Sequence, residues 1–172
     1  MAFLVGGLSA ASMAGAQSLA VPAEAQRRTL QLAAEALRAG EITAAQHADL
    51  VRWTAAKPCR GVRTTLSQRR RGDIADAVSV VQKFPGARVL GYFEVQGWYI
   101  VYTNASPGDE QYLVYDRDPV GRVTARTSWS GAATMFETTE VRDWLLAAAP
   151  NIPKRLADCF AWHVTLGRRD GA

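Results

Sequence analysis

The chain has 172 residues and a net charge of +4, from 20 basic and 16 acidic side chains. This length suits one domain with a substantial core, and a hydrophobic content of 48% excludes an intrinsically disordered chain. The modest positive charge permits contact with anionic lipid, polysaccharide or nucleic acid but does not require it.

Residues 1–16, MAFLVGGLSAASMAGA, resemble a secretory signal segment, because a short apolar stretch is followed by small residues. Ala14-Gly15-Ala16 forms an A-x-A site, with cleavage expected before Gln17. The segment lacks a basic n-region, so the alternative is a small-residue N-terminal helix. Its apolar run is shorter than the ~20 residues that a membrane span needs. The segment predicts a periplasmic or secreted protein, and a cytoplasmic one if it is not a signal.

Cys59 and Cys159 are the only cysteines in the chain and lie 100 residues apart. In an exported protein, two cysteines predict one disulfide. In a cytosolic protein they would instead be two unpaired thiols that behave as small hydrophobic residues.

Residues 17–58 predict a helical hairpin. Apolar residues recur at helical spacing within 23–39, and a second helix begins at Thr43 and ends before Pro58. Thr43 and Gln46 have capping-box spacing. The phrase GEITAAQHADLV resembles short helical-hairpin modules appended to bacterial membrane-associated proteins, and over these residues the resemblance implies no chemistry.

Residues 59–72, CRGVRTTLSQRRRG, lack periodicity and predict a loop, after which Asp73 caps a third helix. The candidate anion-binding residues of this loop are Arg60, Arg63, Arg69, Arg70 and Arg71. A solvated loop is the simplest interpretation. The functional alternatives are an anionic envelope component such as lipid head groups or, in a cytoplasmic protein, nucleic acid.

The middle of the chain predicts a four-stranded antiparallel meander. The expected strands are 88–95, 98–103, 110–116 and 122–129. Gln96-Gly97 has the right length for a two-residue hairpin, which places Phe93 opposite Ile100. Pairing across a loop at 104–109 then places Ile100 near Leu113.

This register assigns the strand side chains to two faces. The predicted core face comprises Val89, Phe93, Val95, Trp98, Ile100, Leu113 and Tyr115. The other face comprises Tyr92, Tyr99, Val101, Tyr112 and Val114. Tyr92, Tyr99 and Tyr112 are the candidate ligand-binding residues, because aromatic side chains are favoured in grooves and interfaces. The alternative is that a helix covers this face.

Two further helices are predicted at 139–149 and from Pro153 onwards. Cys159 and His163 lie at i and i+4 on the last helix, a spacing that suits a thiolate–imidazole pair or two metal ligands. The face they share is apolar, which favours a half-cystine beside a histidine at the edge of the core. The sequence indicates no cofactor, metal site or other catalytic constellation.

Together these patterns predict an α+β protein in which a four-stranded antiparallel β-meander is packed by helices and preceded by the helical hairpin. Residues 73–166 would form the α+β core and 167–172 a tail. We expect an exported small bacterial-type protein with a non-catalytic binding or envelope-associated role, whose partner is unknown. The alternatives are a small hydrolase that uses Cys159 and His163, or a cytoplasmic nucleic-acid-associated protein that uses residues 60–71.

Overall fold

A computed structural model describes residues 23–106 and 109–167, so the signal-like segment and the tail beyond 167 lie outside the described residues. The described part has the predicted α+β architecture. Its α-helices are α1 (Ala23–Arg38), α2 (Ala44–Ala55), α3 (Gln68–Val81), α4 (Thr138–Ala148) and α5 (Lys154–Thr165). Its strands are β1 (Arg88–Val95), β2 (Trp98–Ser106), β3 (Asp109–Tyr115) and β4 (Thr127–Trp129). None of these helices is long and apolar enough to cross a membrane.

The four strands form one antiparallel sheet in the order β1-β2-β3-β4, which confirms the predicted meander. Phe93 lies opposite Ile100, as the two-residue hairpin predicts. Gln96 and Gly97 have φ angles of 51° and 79°. Positive φ at both central residues is the requirement of a type I′ turn, whose twist matches that of the flanking strands.

The predicted register between β2 and β3 is wrong by one residue. Ile100 pairs with Val114 instead of Leu113. The two strands continue to Ser106 and Asp109 through an irregularity in the ladder, so the connection between them is shorter than expected. Because side chains alternate along a strand, a shift of one residue moves every side chain of β3 to the other face.

The corrected register gives the sheet two buried faces. A second irregularity, between Val89 and Gly91, also moves Val89 away from its predicted face. Helices α4 and α5 cover the face that carries Phe93, Val95, Trp98, Ile100, Tyr102, Tyr112 and Val114. Helix α3 covers the face that carries Val89, Tyr92, Tyr99, Val101, Leu113 and Tyr115. The sheet is therefore the middle layer of three.

The helical hairpin docks on this core through Trp53. The predicted capping box of Thr43 and Gln46 is present at the start of α2. Trp53 is buried, and its Nε1 donates a hydrogen bond of 3.0 Å to Oγ1 of Thr139 on α4. Trp53 also packs in one cluster with Trp162 and Leu166 from the end of the chain. A buried aromatic with a satisfied N–H thus ties the hairpin to the rest of the domain.

Helix α3 is capped by Ser67, six residues before the predicted cap, Asp73. The Ser67 hydroxyl accepts a hydrogen bond of 3.2 Å from the backbone N–H of Arg70. Residues 69–71 therefore lie in the first turns of a helix and not in a loop. Arginine is a good helix former, but a run of polar residues has no apolar periodicity by which the helix could be recognised.

Burial of Tyr115 predicts a loss of stability at high pH. This side chain is 1% exposed, and burial raises its pKa to about 12, against about 10 in an unfolded chain. The stabilisation that the neutral Tyr115 side chain provides is complete below pH 10 and is lost as the pH rises towards 12. By pH 11 the free energy of unfolding should have fallen by about 1.4 kcal/mol. Urea denaturation at pH 9 and pH 11 measures it. The Tyr115→Phe variant should lose less stability over this interval; an equal loss would assign the effect to other groups.

Candidate functional site

The three candidate tyrosines do not share an accessible surface. Tyr92 and Tyr112 are each 2% exposed and lie on opposite faces of the sheet. Tyr92 packs under α3, with its ring 6.2 Å from that of Tyr99. Tyr112 stacks on Tyr102 at 4.4 Å in the other core. The alternative interpretation, that a helix covers the tyrosine-bearing face, matches the structure for Tyr92 and Tyr99.

Cys59 and Cys159 form the predicted disulfide, with their Sγ atoms 2.07 Å apart. Cys159 is fully buried, so this bonded sulfur is not available as a thiolate nucleophile. The ring of His163 packs against Phe93 at 4.8 Å, at the edge of the core. Within residues 23–106 and 109–167, no three His, Cys, Asp or Glu side chains are grouped to hold a metal ion. The disulfide thus leaves the hydrolase alternative without its nucleophile.

Arg63 has bonding partners within the protein, at the edge strand β1. Its guanidinium binds the Glu94 carboxylate and donates to the Tyr92 hydroxyl at 3.3 Å. The backbones of Arg63 and Glu94 also exchange two hydrogen bonds of 3.0 and 2.9 Å. This segment covers part of an edge that would otherwise be open to pairing with another chain.

Arg70 and Arg71 likewise have partners inside the protein. Arg70 forms an ion pair of 2.6 Å with Asp118. Although burial alone would raise the pKa of Asp118, hydrogen bonds from Arg70 and a backbone N–H hold it below its ordinary value. Nη1 of Arg71 donates to the backbone oxygen of Val89 at 2.7 Å. Of the predicted anion-binding set, only Arg60 and Arg69 have neither an ion pair nor a side-chain hydrogen bond among the described residues.

Arg60 lines a surface cleft, which we call the basic cleft. Its volume of about 580 Å³ lies within the range of small-molecule sites. Two chain segments form it: the turn that follows α2 and the first turns of α5. The lining residues are Lys57, Pro58, Arg60, Gly61, Lys154, Arg155 and Asp158.

The disulfide holds the two walls of the basic cleft together. Cys59 lies within the turn, whose backbone is closed by hydrogen bonds from Arg60 to Lys57 at 3.1 Å and from Val62 to Cys59 at 3.0 Å. Cys159 lies on α5, directly after the lining residue Asp158. The covalent bond therefore fixes the position of Arg60 relative to the start of α5.

Gly61 permits the close approach of one cation. Its φ angle of 79° is in the left-handed region that favours glycine. A Cβ atom at this position would lie 3.0 Å from Nη1 of Arg155. The Arg155 guanidinium consequently rests against the backbone of the turn, which brings it to the same wall as Arg60.

The cations of the basic cleft form no ion pairs within the described part of the chain. Lys57, Arg60, Lys154 and Arg155 are exposed, and no acid lies within ion-pair distance of any of them in residues 23–106 and 109–167. The start of α5 adds the positive end of a helix dipole, and Pro153 supplies no capping side chain. Four unpaired cations in one concavity make a favourable environment for an anion.

Sequence reasoning missed Lys57, Lys154, Arg155 and Asp158. A signal for them was present, because Lys57 and Arg60 lie on either side of Cys59 while the other three lie within the five residues before Cys159. The predicted disulfide would have brought these two basic segments together.

No family model, no curated protein and no solved structure matches the chain.

Proposed function

We propose that this protein is an exported, non-catalytic binding protein that holds an anionic group in the basic cleft. The observation that carries the proposal is the convergence of Lys57, Arg60, Lys154 and Arg155 on one cavity, with none of the four in an ion pair within residues 23–106 and 109–167. By contrast, Arg63, Arg70 and Arg71 are bound to partners within the fold. Basic side chains that fold stability does not use are the ones available to a ligand.

The proposed compartment is supported by two independent features. The A-x-A site at residues 14–16 has the pattern that precedes signal cleavage. The Cys59–Cys159 disulfide is the kind of bond that persists in oxidising compartments and is rare in the cytosol. Phosphate and carboxylate groups of the cell envelope are the anions that a protein in such a compartment meets.

Intact mass of the natively expressed protein tests export. After free thiols are trapped, the mature protein should lack residues 1–16 and should take up no alkyl groups until it is reduced. A full-length mass with two alkylated thiols would contradict the proposed compartment.

Calorimetric titration with inorganic phosphate at low salt tests the basic cleft. The double variant Arg60→Ala/Arg155→Ala should bind phosphate on the order of 100-fold more weakly, because each charge-assisted hydrogen bond contributes about 1.5–3 kcal/mol. Adding salt should weaken wild-type binding, since the interaction is electrostatic and exposed.

Arg27→Ala/Arg69→Ala is the matched control, because both side chains are exposed on helices and line no part of the basic cleft. It removes the same formal charge and should bind phosphate almost as well as the wild type. An equal loss in both double variants would indicate non-specific attraction, and no binding by the wild type would refute the proposed site.

A further inference from the structure

Asp158 is the one acid that lines the basic cleft. It lies on α5 at i+4 from Lys154 and is half-buried. Its Oδ1 is inaccessible to solvent and has no hydrogen-bond partner in residues 23–106 and 109–167. Burial raises the pKa of this carboxyl above its ordinary value, against the opposing charge of Lys154.

The Asp158 carboxylate is unexpected in an anion-binding cleft, because its negative charge repels an anion bound nearby. It forms no ion pair with the cations that line the same cleft. Asp158 is only half-buried and makes no hydrogen bond within the described residues, so the part of its carboxylate that lines the cleft is available to a group from outside the chain. A desolvated carboxylate is a strong acceptor, since its electrostatic interactions are weakly screened.

The partner of Asp158 is best supplied by a neutral hydroxyl. A second cation would be attracted to Asp158 but repelled by Lys154 and the other basic side chains around it. A hydroxyl also donates a hydrogen bond to the carboxylate. Because it carries no charge, the basic side chains of the neighbouring anion site do not repel it.

We propose that the ligand is a phosphate ester of a polyol, in which the cations of the basic cleft bind the phosphate and Asp158 accepts a hydrogen bond from a neighbouring hydroxyl. This inference rests on the proposed function and specifies its ligand class. The same chemistry occurs in soluble glycerol or sugar phosphates and in glycerol-bearing lipid head groups. The volume of the basic cleft, about 580 Å³, is sufficient for the polyol phosphate group from either source.

Titration with glycerol 3-phosphate and propyl phosphate tests the role of Asp158, because the two esters share the phosphate and chain length and differ in their hydroxyls. The wild type should prefer glycerol 3-phosphate roughly tenfold, as expected for one hydrogen bond to a charged acceptor. Asp158→Ala should lose this preference and bind propyl phosphate at least as well as the wild type, because a repelling charge is gone. Circular dichroism and the melting temperature check that the variant is folded.

The outcomes separate the ligand class from the site itself. If the wild type binds neither ester, the proposed function fails together with the inference. If it binds both equally, or if Asp158→Ala keeps the preference, the basic cleft is an anion site but the polyol assignment is wrong. Tighter binding of phosphoethanolamine than of glycerol 3-phosphate would also overturn the assignment, in favour of an ammonium donor.

A vesicle experiment distinguishes the two sources of the ligand. Cosedimentation with phosphatidylglycerol in phosphatidylcholine vesicles, abolished by free glycerol 3-phosphate, would place a lipid head group in the basic cleft. Binding of the free ester without cosedimentation would support a soluble polyol phosphate. Vesicle binding that free ester does not compete, and that Asp158→Ala leaves unchanged, would contradict a polyol site on the membrane.

Discussion

Replacing Cys59 and Cys159 together with alanine should lower the free energy of unfolding by about 4 kcal/mol. The disulfide closes a loop of 100 residues, and a cross-link over such a distance restricts the unfolded chain by up to about 4.7 kcal/mol, with measured losses of about 2–5 kcal/mol. Alanine is preferable to serine because Cys159 is fully buried and a hydroxyl there would need a partner. Urea denaturation under two-state conditions measures the loss.

The same double substitution should also weaken phosphate binding in the basic cleft, beyond the effect of any unfolding. Without the bond, the turn that carries Arg60 is no longer fixed to α5, so phosphate affinity should fall even where the variant is fully folded. Wild-type protein in a reducing agent is the control and should show both effects. A variant that loses less than about 1 kcal/mol, or that binds phosphate normally, would show that packing alone positions the turn.

Truncating a core side chain on either face of the sheet should lower the free energy of unfolding by about the same amount. Ile100 faces α4 and α5, Leu113 faces α3, and the two side chains are 0% and 2% exposed. Replacing either with alanine leaves a cavity in a packed core, which costs about 2–5 kcal/mol. Denaturant unfolding of Ile100→Ala and Leu113→Ala measures both losses.

Leu90→Ala is the control for this pair, since Leu90 is on the same sheet but 39% exposed. It should cost less than about 1 kcal/mol, as substitutions outside packed cores usually do. If Leu113→Ala were as mild as Leu90→Ala, helix α3 would not bury the second face, and the tyrosines on that face would again be candidates for a binding surface.

The predicted faces were half right because the register depends on two irregularities with no sequence signature. The hairpin at Gln96-Gly97 is specified by its length and neighbours, so the pairing of Phe93 with Ile100 was predictable. The connection between β2 and β3 contains the turn dipeptide Pro107-Gly108, but the irregularity between Asn104 and Ser106 shifts the register next to it, and an error of one residue there exchanged Leu113 and Val114 between faces.

The candidate site was predictable only in part, for a similar reason. Charge runs identify where arginines are, but not which of them are neutralised. Glu94 and Asp118, which bind Arg63 and Arg70, are distant from them in the chain. Arg60 was identified, yet its companions on α5 were not, because the charge run at 60–71 was considered without the segment that the predicted disulfide joins to it.

The sequence by itself determined the α+β class, the helical hairpin, the order of the strands and the disulfide. These features follow from local signals, namely periodicity, capping residues, turn residues and the count of cysteines, each of which acts over a few neighbouring positions or requires no geometry. The tertiary structure decided which sheet faces are buried, which arginines are paired, and that Lys57, Arg60, Lys154 and Arg155 share one cleft. Those outcomes depend on contacts between distant segments, whose energies are comparable among alternative registers until the whole domain packs.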